Sequence, residues 1–161
     1  MKKKVTYTLL ILLILIAINS CERDDICIDA ITPHLIIRFY NNDIQTNFKN
    51  ANLLSLKILG VDNDSITLSA TDSIAIPVKS TDDLTKYILT ISNTDGSINR
   101  DTFSLTYQRE DIFVGRSCGF KTIFTSTNYT LQTGSENWIR SISPVTQTIK
   151  DETAAHVKIF H

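Results

Sequence analysis

The chain has 161 residues, 42% of them hydrophobic, with 16 basic against 17 acidic side chains and a net charge of −1. Three of the lysines fall within residues 1–20, so the 141 residues after them carry 13 basic and 17 acidic groups, a net charge of −4. That acidic balance argues against a nucleic-acid-binding surface, which needs clustered Lys and Arg, and the length suits one domain with a real core.

The chain opens on Lys2-Lys3-Lys4, ten unbroken apolar residues from Leu9 to Ile18, and then Asn19-Ser20-Cys21. A positive n-region, a short apolar core and small residues before a cut site are the marks of a secretory signal peptide. A retained membrane helix would need roughly 20 predominantly apolar residues. Ile18-Asn19-Ser20-Cys21 resembles the bacterial lipobox, although that pattern favours Leu at its first place and Ala or Gly before the cysteine. The expectation is cleavage of residues 1–20 and acylation of Cys21, which makes the membrane a partner through lipid; simple cleavage or a retained anchor are the alternatives. Residues 21–32 then form a tether, and 33–161 a single domain.

With Cys21 taken by lipid, Cys27 and Cys118 remain as candidates for one disulfide, because an exported chain meets an oxidising compartment. Two buried free thiols are the alternative. The acidic residues Glu22, Asp24 and Asp25 resemble the signal that sends some lipoproteins to the cell surface; a solvated tether explains the same composition.

Beyond the tether, periodicity favours strands. His34–Tyr40 is a dense β-branched and aromatic run, and Leu54-Leu56-Ile58 alternates with Ser55-Lys57. Ile66-Leu68-Ala70, Ile74-Ile76-Val78, Tyr87-Leu89-Ile91 and Phe103-Leu105-Tyr107 repeat the pattern, with Pro77 marking an edge. Asp95-Gly96 is a strong hairpin signal between two of these runs, and Asp62-Asn63-Asp64 reads as a turn. Ile112–Val114, Phe120–Thr125 and Ala155–Phe160 complete the series. Ser135–Ile142, opening on a capping serine and stopped by Pro144, is the one stretch suited to a turn or two of helix. The sum is an all-β chain: an antiparallel β-sandwich of about 7–9 strands, immunoglobulin-like in architecture.

The blocks Cys21-Glu22-Arg23-Asp24-Asp25-Ile26-Cys27, Pro33–Tyr40, Arg116-Ser117-Cys118-Gly119-Phe120-Lys121-Thr122 and Asn137-Trp138-Ile139 resemble a family of Bacteroidota lipoproteins of unknown function. The resemblance spans 21–161. It implies an outer-membrane lipoprotein facing the periplasm or the cell surface and a small β-rich domain, and it carries over no activity.

Several patterns invite chemistry. Gly115-Arg116-Ser117-Cys118-Gly119 is literally G-x-S-x-G, with Asp151 and His156 following in hydrolase order. A nucleophile elbow needs a helix after the serine, however, and Phe120–Phe124 is strand-like. His34, His156 and His161 show no metal-ligand spacing. Asp62-Asn63-Asp64 has calcium-like oxygens, but Thr67 and Ser73 stand where an EF-hand needs Gly and Glu. Trp138, the single tryptophan, suits either a core or a binding face. Asp64-Ser65-Ile66 and Asp72-Ser73-Ile74 resemble a bacterial O-glycosylation acceptor. No catalytic residue, metal set or cofactor is assigned. The expected function is a lipid-anchored envelope module that binds or supports another protein or a glycan; an envelope hydrolase using Ser117 and a metal-binding lipoprotein are the alternatives.

Overall fold

The computed structural model describes residues 27, 32–61, 65–132, 134 and 136–161. The described residues contain nine strands and no helix: β1 (Leu35–Tyr40), β2 (Leu53–Ile58), β3 (Ser65–Thr67), β4 (Ser73–Ile76), β5 (Leu84–Ser92), β6 (Ile98–Gly115), β7 (Gly119–Leu131), β8 (Ser141–Pro144) and β9 (Val157–Phe160). They form two sheets, ordered β4-β1-β9-β8 and β3-β2-β5-β6-β7. The sheets enclose one core, so the expected sandwich is present.

Alternation in the sequence becomes alternation in burial. Leu35, Ile37 and Phe39 of β1, Ile74 and Ile76 of β4, and Val157 and Ile159 of β9 turn inward from one sheet. Tyr87, Leu89, Phe103 and Leu105 meet them from the other. Burying such side chains stabilises the fold by about 1.5–3 kcal/mol each before the entropy of ordering them is set against it.

Four details depart from the sequence expectation. The first and last strands, β1 and β9, pair in parallel, so the four-stranded sheet is mixed rather than purely antiparallel. The hydrophobic pattern of a strand fixes its face and leaves its direction open. In β2 a register shift between Leu53 and Ser55 lets Leu53 join Leu56 and Ile58 in the core, where strict alternation from Leu54 would not have put it. The run at Ile66 yields only the short edge strand β3, whose Ile66 is 38% exposed. Finally, Ser141–Pro144 is extended and pairs with β9 instead of continuing a helical turn. Pro144 fits there because β8 is an edge strand, as β4 is beside Pro77.

The Asp95-Gly96 signal is realised as the turn between β5 and β6. Gly96 takes φ +83°, a conformation that side-chain-bearing residues rarely adopt, and Asp95 Oδ1 accepts the Ser97 N–H at 2.9 Å.

Candidate functional site

The two long strands β6 and β7 outrun their sheet. The pairing of β5 with β6 stops at Leu84 opposite Thr106, and beyond it β6 pairs only with β7, from Gln108–Thr125 to Gly115–Gly119. This two-stranded arm is braced at its base, where Phe124 exchanges backbone hydrogen bonds with Ile149 and packs edge-on against Tyr107.

At its far end the arm turns through Arg116-Ser117-Cys118, with Gly119 at φ +69°. Cys118 in that turn is disulfide-bonded to Cys27, their Cα atoms 4.9 Å apart. The free-thiol alternative is thereby set aside. A second tie follows on the same arm, the Thr122 N–H donating to Thr32 Oγ1 at 3.1 Å. Cys27 and Thr32 are thus both tied to the arm.

Around this junction the surface is apolar. Phe113 and Phe120 face each other across the arm, ring centroids 5.3 Å apart in a T-shaped contact, yet they remain 58% and 69% exposed. Ile112 is exposed on the arm's other face, paired with Lys121, and Arg116 adds positive charge in the turn. The nearest acid on the Phe113 face, Asp111, accepts the Thr122 hydroxyl at 2.7 Å; Glu110 lies on the opposite face.

The hydrolase-like residues are not drawn together. Ser117 is exposed in the arm's turn, whereas His156 is buried, and no hydrogen bond joins them among the described residues. The His156 ring is engaged: Nδ1 accepts the Ile36 N–H at 2.9 Å. Burial holds this imidazole below its ordinary pKa. The small cavity beside it, about 200 Å³, is lined by Thr146, Asp151 and Thr153 and not by Ser117.

The other candidates scatter. His34 Nδ1 meets Glu152 at 2.6 Å, and the His34 N–H donates to the same carboxylate oxygen at 2.8 Å. His161 packs edge-on against Phe39 and Trp138. No cluster of three His, Cys, Asp or Glu suited to a metal occurs among the described residues. Trp138 is a core residue, 7% exposed, its indole N–H directed at the Leu89 carbonyl at 3.4 Å, so it presents no binding face. The Ser73 hydroxyl is turned into the sheet toward the Ile37 carbonyl, which removes it as an exposed acceptor, while Ser65 lies exposed on the edge strand β3. Cys21, Glu22, Asp24, Asp25 and the Asp62-Asn63-Asp64 turn lie outside the described residues.

At the end of the sandwich away from the disulfide, an open cleft of about 400 Å³ lies between the β5–β6 turn and the start of β2. Its walls include Lys49, Asn50, Asn52, Asn93, Asp95 and His161, an amide-rich set of hydrogen-bonding groups. Sequence reasoning missed this cleft because its residues come from separate loops and the C-terminus.

A family model matches residues 55–161, from β2 to the last residue. The chain belongs to the family of unknown function DUF6452. The DUF6452 match takes in Cys118, the aromatic arm and Trp138, and it begins after β1 and Cys27. Of the resemblance drawn from residue 21 onward, membership of a family of unknown function is shown, over this narrower span. No curated protein and no solved structure matches the chain.

Proposed function

We propose that this protein is a lipid-anchored component of the bacterial cell envelope, of Bacteroidota lineage, acting as a non-enzymatic binding or structural module. The observation that carries the reading is the Cys27–Cys118 disulfide. Such bonds persist in oxidising compartments outside the cytosol, and this one starts six residues after Cys21, the residue that the N-terminal pattern marks for acylation. Its position gives the molecule a polarity: the arm end is tied to the anchoring segment, and the amide-lined cleft faces the other way. Such a cleft suits the hydroxyls of a glycan or the polar surface of an envelope protein.

Mass spectrometry of the N-terminal peptide from the native host tests the anchor. An acylated Cys21 is expected, together with loss of the chain from the membrane fraction on Cys21→Ala; a peptide beginning elsewhere, or an unmodified Cys21, contradicts it. Crosslinking in native membranes tests the module, and recovery without any protein or glycan partner counts against it. Protease treatment of intact cells reports whether Glu22, Asp24 and Asp25 serve surface export.

A further inference from the structure

We propose that the aromatic end of the β6–β7 arm is a second membrane contact, seated in the headgroup region of the bilayer that holds the Cys21 lipid. The inference rests on the lipid-anchor reading.

Covalent geometry supplies the first part. Six residue steps separate Cys21 from Cys27, and a fully extended chain spans at most about 3.3–3.6 Å per residue, or about 20 Å in all. Cys118 Cα is 4.9 Å from Cys27 Cα, so the turn of the arm lies within about 25 Å of the lipidated residue, whatever path the tether takes. The Ile98 end of β6 lies far from this turn, because β6 runs 18 residues from Ile98 to Gly115, about 55 Å of strand.

Chemistry supplies the second. Phe113 and Phe120 form a contiguous exposed aromatic pair next to the disulfide, and a contiguous apolar patch marks an interaction surface. Ile112 adds an exposed apolar side chain on the arm's other face, where it pairs with Lys121, and Arg116 lies in the turn, so cationic groups flank the aromatic pair at the arm's end. Apolar residues dipping a few ångströms below a polar, cationic rim are the composition of an interfacial contact. Glu22, Asp24 and Asp25 of the tether oppose the charge attraction, so apolar burial is the larger contribution.

The test uses the full lipidated chain in vesicles of phosphatidylethanolamine and phosphatidylglycerol, carrying p-benzoylphenylalanine in place of Phe113, or in place of Phe120 in a second chain. Ile98, exposed at the opposite end of β6, carries the same photoprobe as the control. Irradiation is expected to yield lipid adducts at 113 and 120 and none at 98. Adducts to protein alone, including a second copy of this chain, overturn the proposal, as does an absence of lipid adducts from a chain whose Cys21 peptide carries acyl mass. An unacylated Cys21 peptide overturns the anchor reading and this inference together, so the two failures are told apart by one mass measurement.

Discussion

The Tyr107 hydroxyl donates to the Lys79 carbonyl at 2.6 Å, partly shielded from solvent. Its oxygen lies 2.7 Å from Thr85 Oγ1, which in turn accepts the Lys79 N–H at 3.1 Å. Each hydroxyl has one proton, so Tyr107 giving its own to the carbonyl makes Thr85 the donor between the two. The three residues close a ring of hydrogen bonds that pins the crossover after β4 onto the five-stranded sheet, and Tyr87 adds a fourth tie to the Pro77 carbonyl at 2.8 Å.

Tyr107→Phe removes the middle of that ring and leaves a buried carbonyl and a threonine proton unpaired. A loss of about 1–3 kcal/mol in urea denaturation is expected. Thr85→Val, which deletes the neighbouring partner, is expected to cost less when combined with Tyr107→Phe than the two single changes together, because both break one network.

Asp101 carries a similar burden. Only 3% exposed, its carboxylate accepts the Ile139 N–H at 2.7 Å and holds the Trp138 segment against β6. Burial raises its pKa despite these donors, which means that its charge costs stability above the carboxylate range. Asp101→Ala is expected to destabilise by about 1–3 kcal/mol for each backbone N–H left without an acceptor. Near-ultraviolet circular dichroism of Trp138 would report the loosened segment directly.

Acid should weaken the fold in two stages. His156 is kept below its ordinary 6.5, and Nδ1 cannot take a proton without losing the Ile36 N–H. The unfolded chain accepts that proton, so stability present above pH 6.5 falls as the pH drops below it. His161, also held down by burial, acts in the same direction. Glu152 is lowered from 4.5, chiefly by the His34 backbone N–H, so its contribution is present above that value and is lost as the pH falls through the lowered one. Urea midpoints measured across pH are expected to show both declines, with His156→Gln flattening the upper and Glu152→Gln the lower.

Cys118→Ser opens a loop whose ends are 91 residues apart. The chain-entropy model sets a ceiling of about 4–5 kcal/mol on the lost stability. Hydrogen exchange should rise mainly in 108–125, the part of the arm that no third strand flanks, while β5 keeps its protection.

Most of this architecture was legible because a half-buried strand prints its two faces in sequence: Leu35, Ile37 and Phe39 could be sorted by eye. Asp101 was legible too, in retrospect, since it shares the inward phase of Phe103, Leu105 and Tyr107. The fate of Ser135–Ile142 was not. A capping serine and a proline stop are local signals, and β9, which begins 13 residues after Pro144, supplied a ladder that outweighed them. The disulfide could be named from cysteine counting; that it would fall beside two exposed phenylalanines depended on how far β6 and β7 outrun β5, which no periodicity encodes.

The side-by-side pairing of β1 with β9 has a temporal meaning. Ile37 lies opposite Val157, a partner made 120 residues later. A chain emerging from its N-terminus displays Leu35, Ile37 and Phe39 with one ladder edge open until β9 has appeared. Completion of the four-stranded sheet therefore waits for β9, and deleting Val157–Phe160 would leave the sheet open along the edge of β1 that β9 covers.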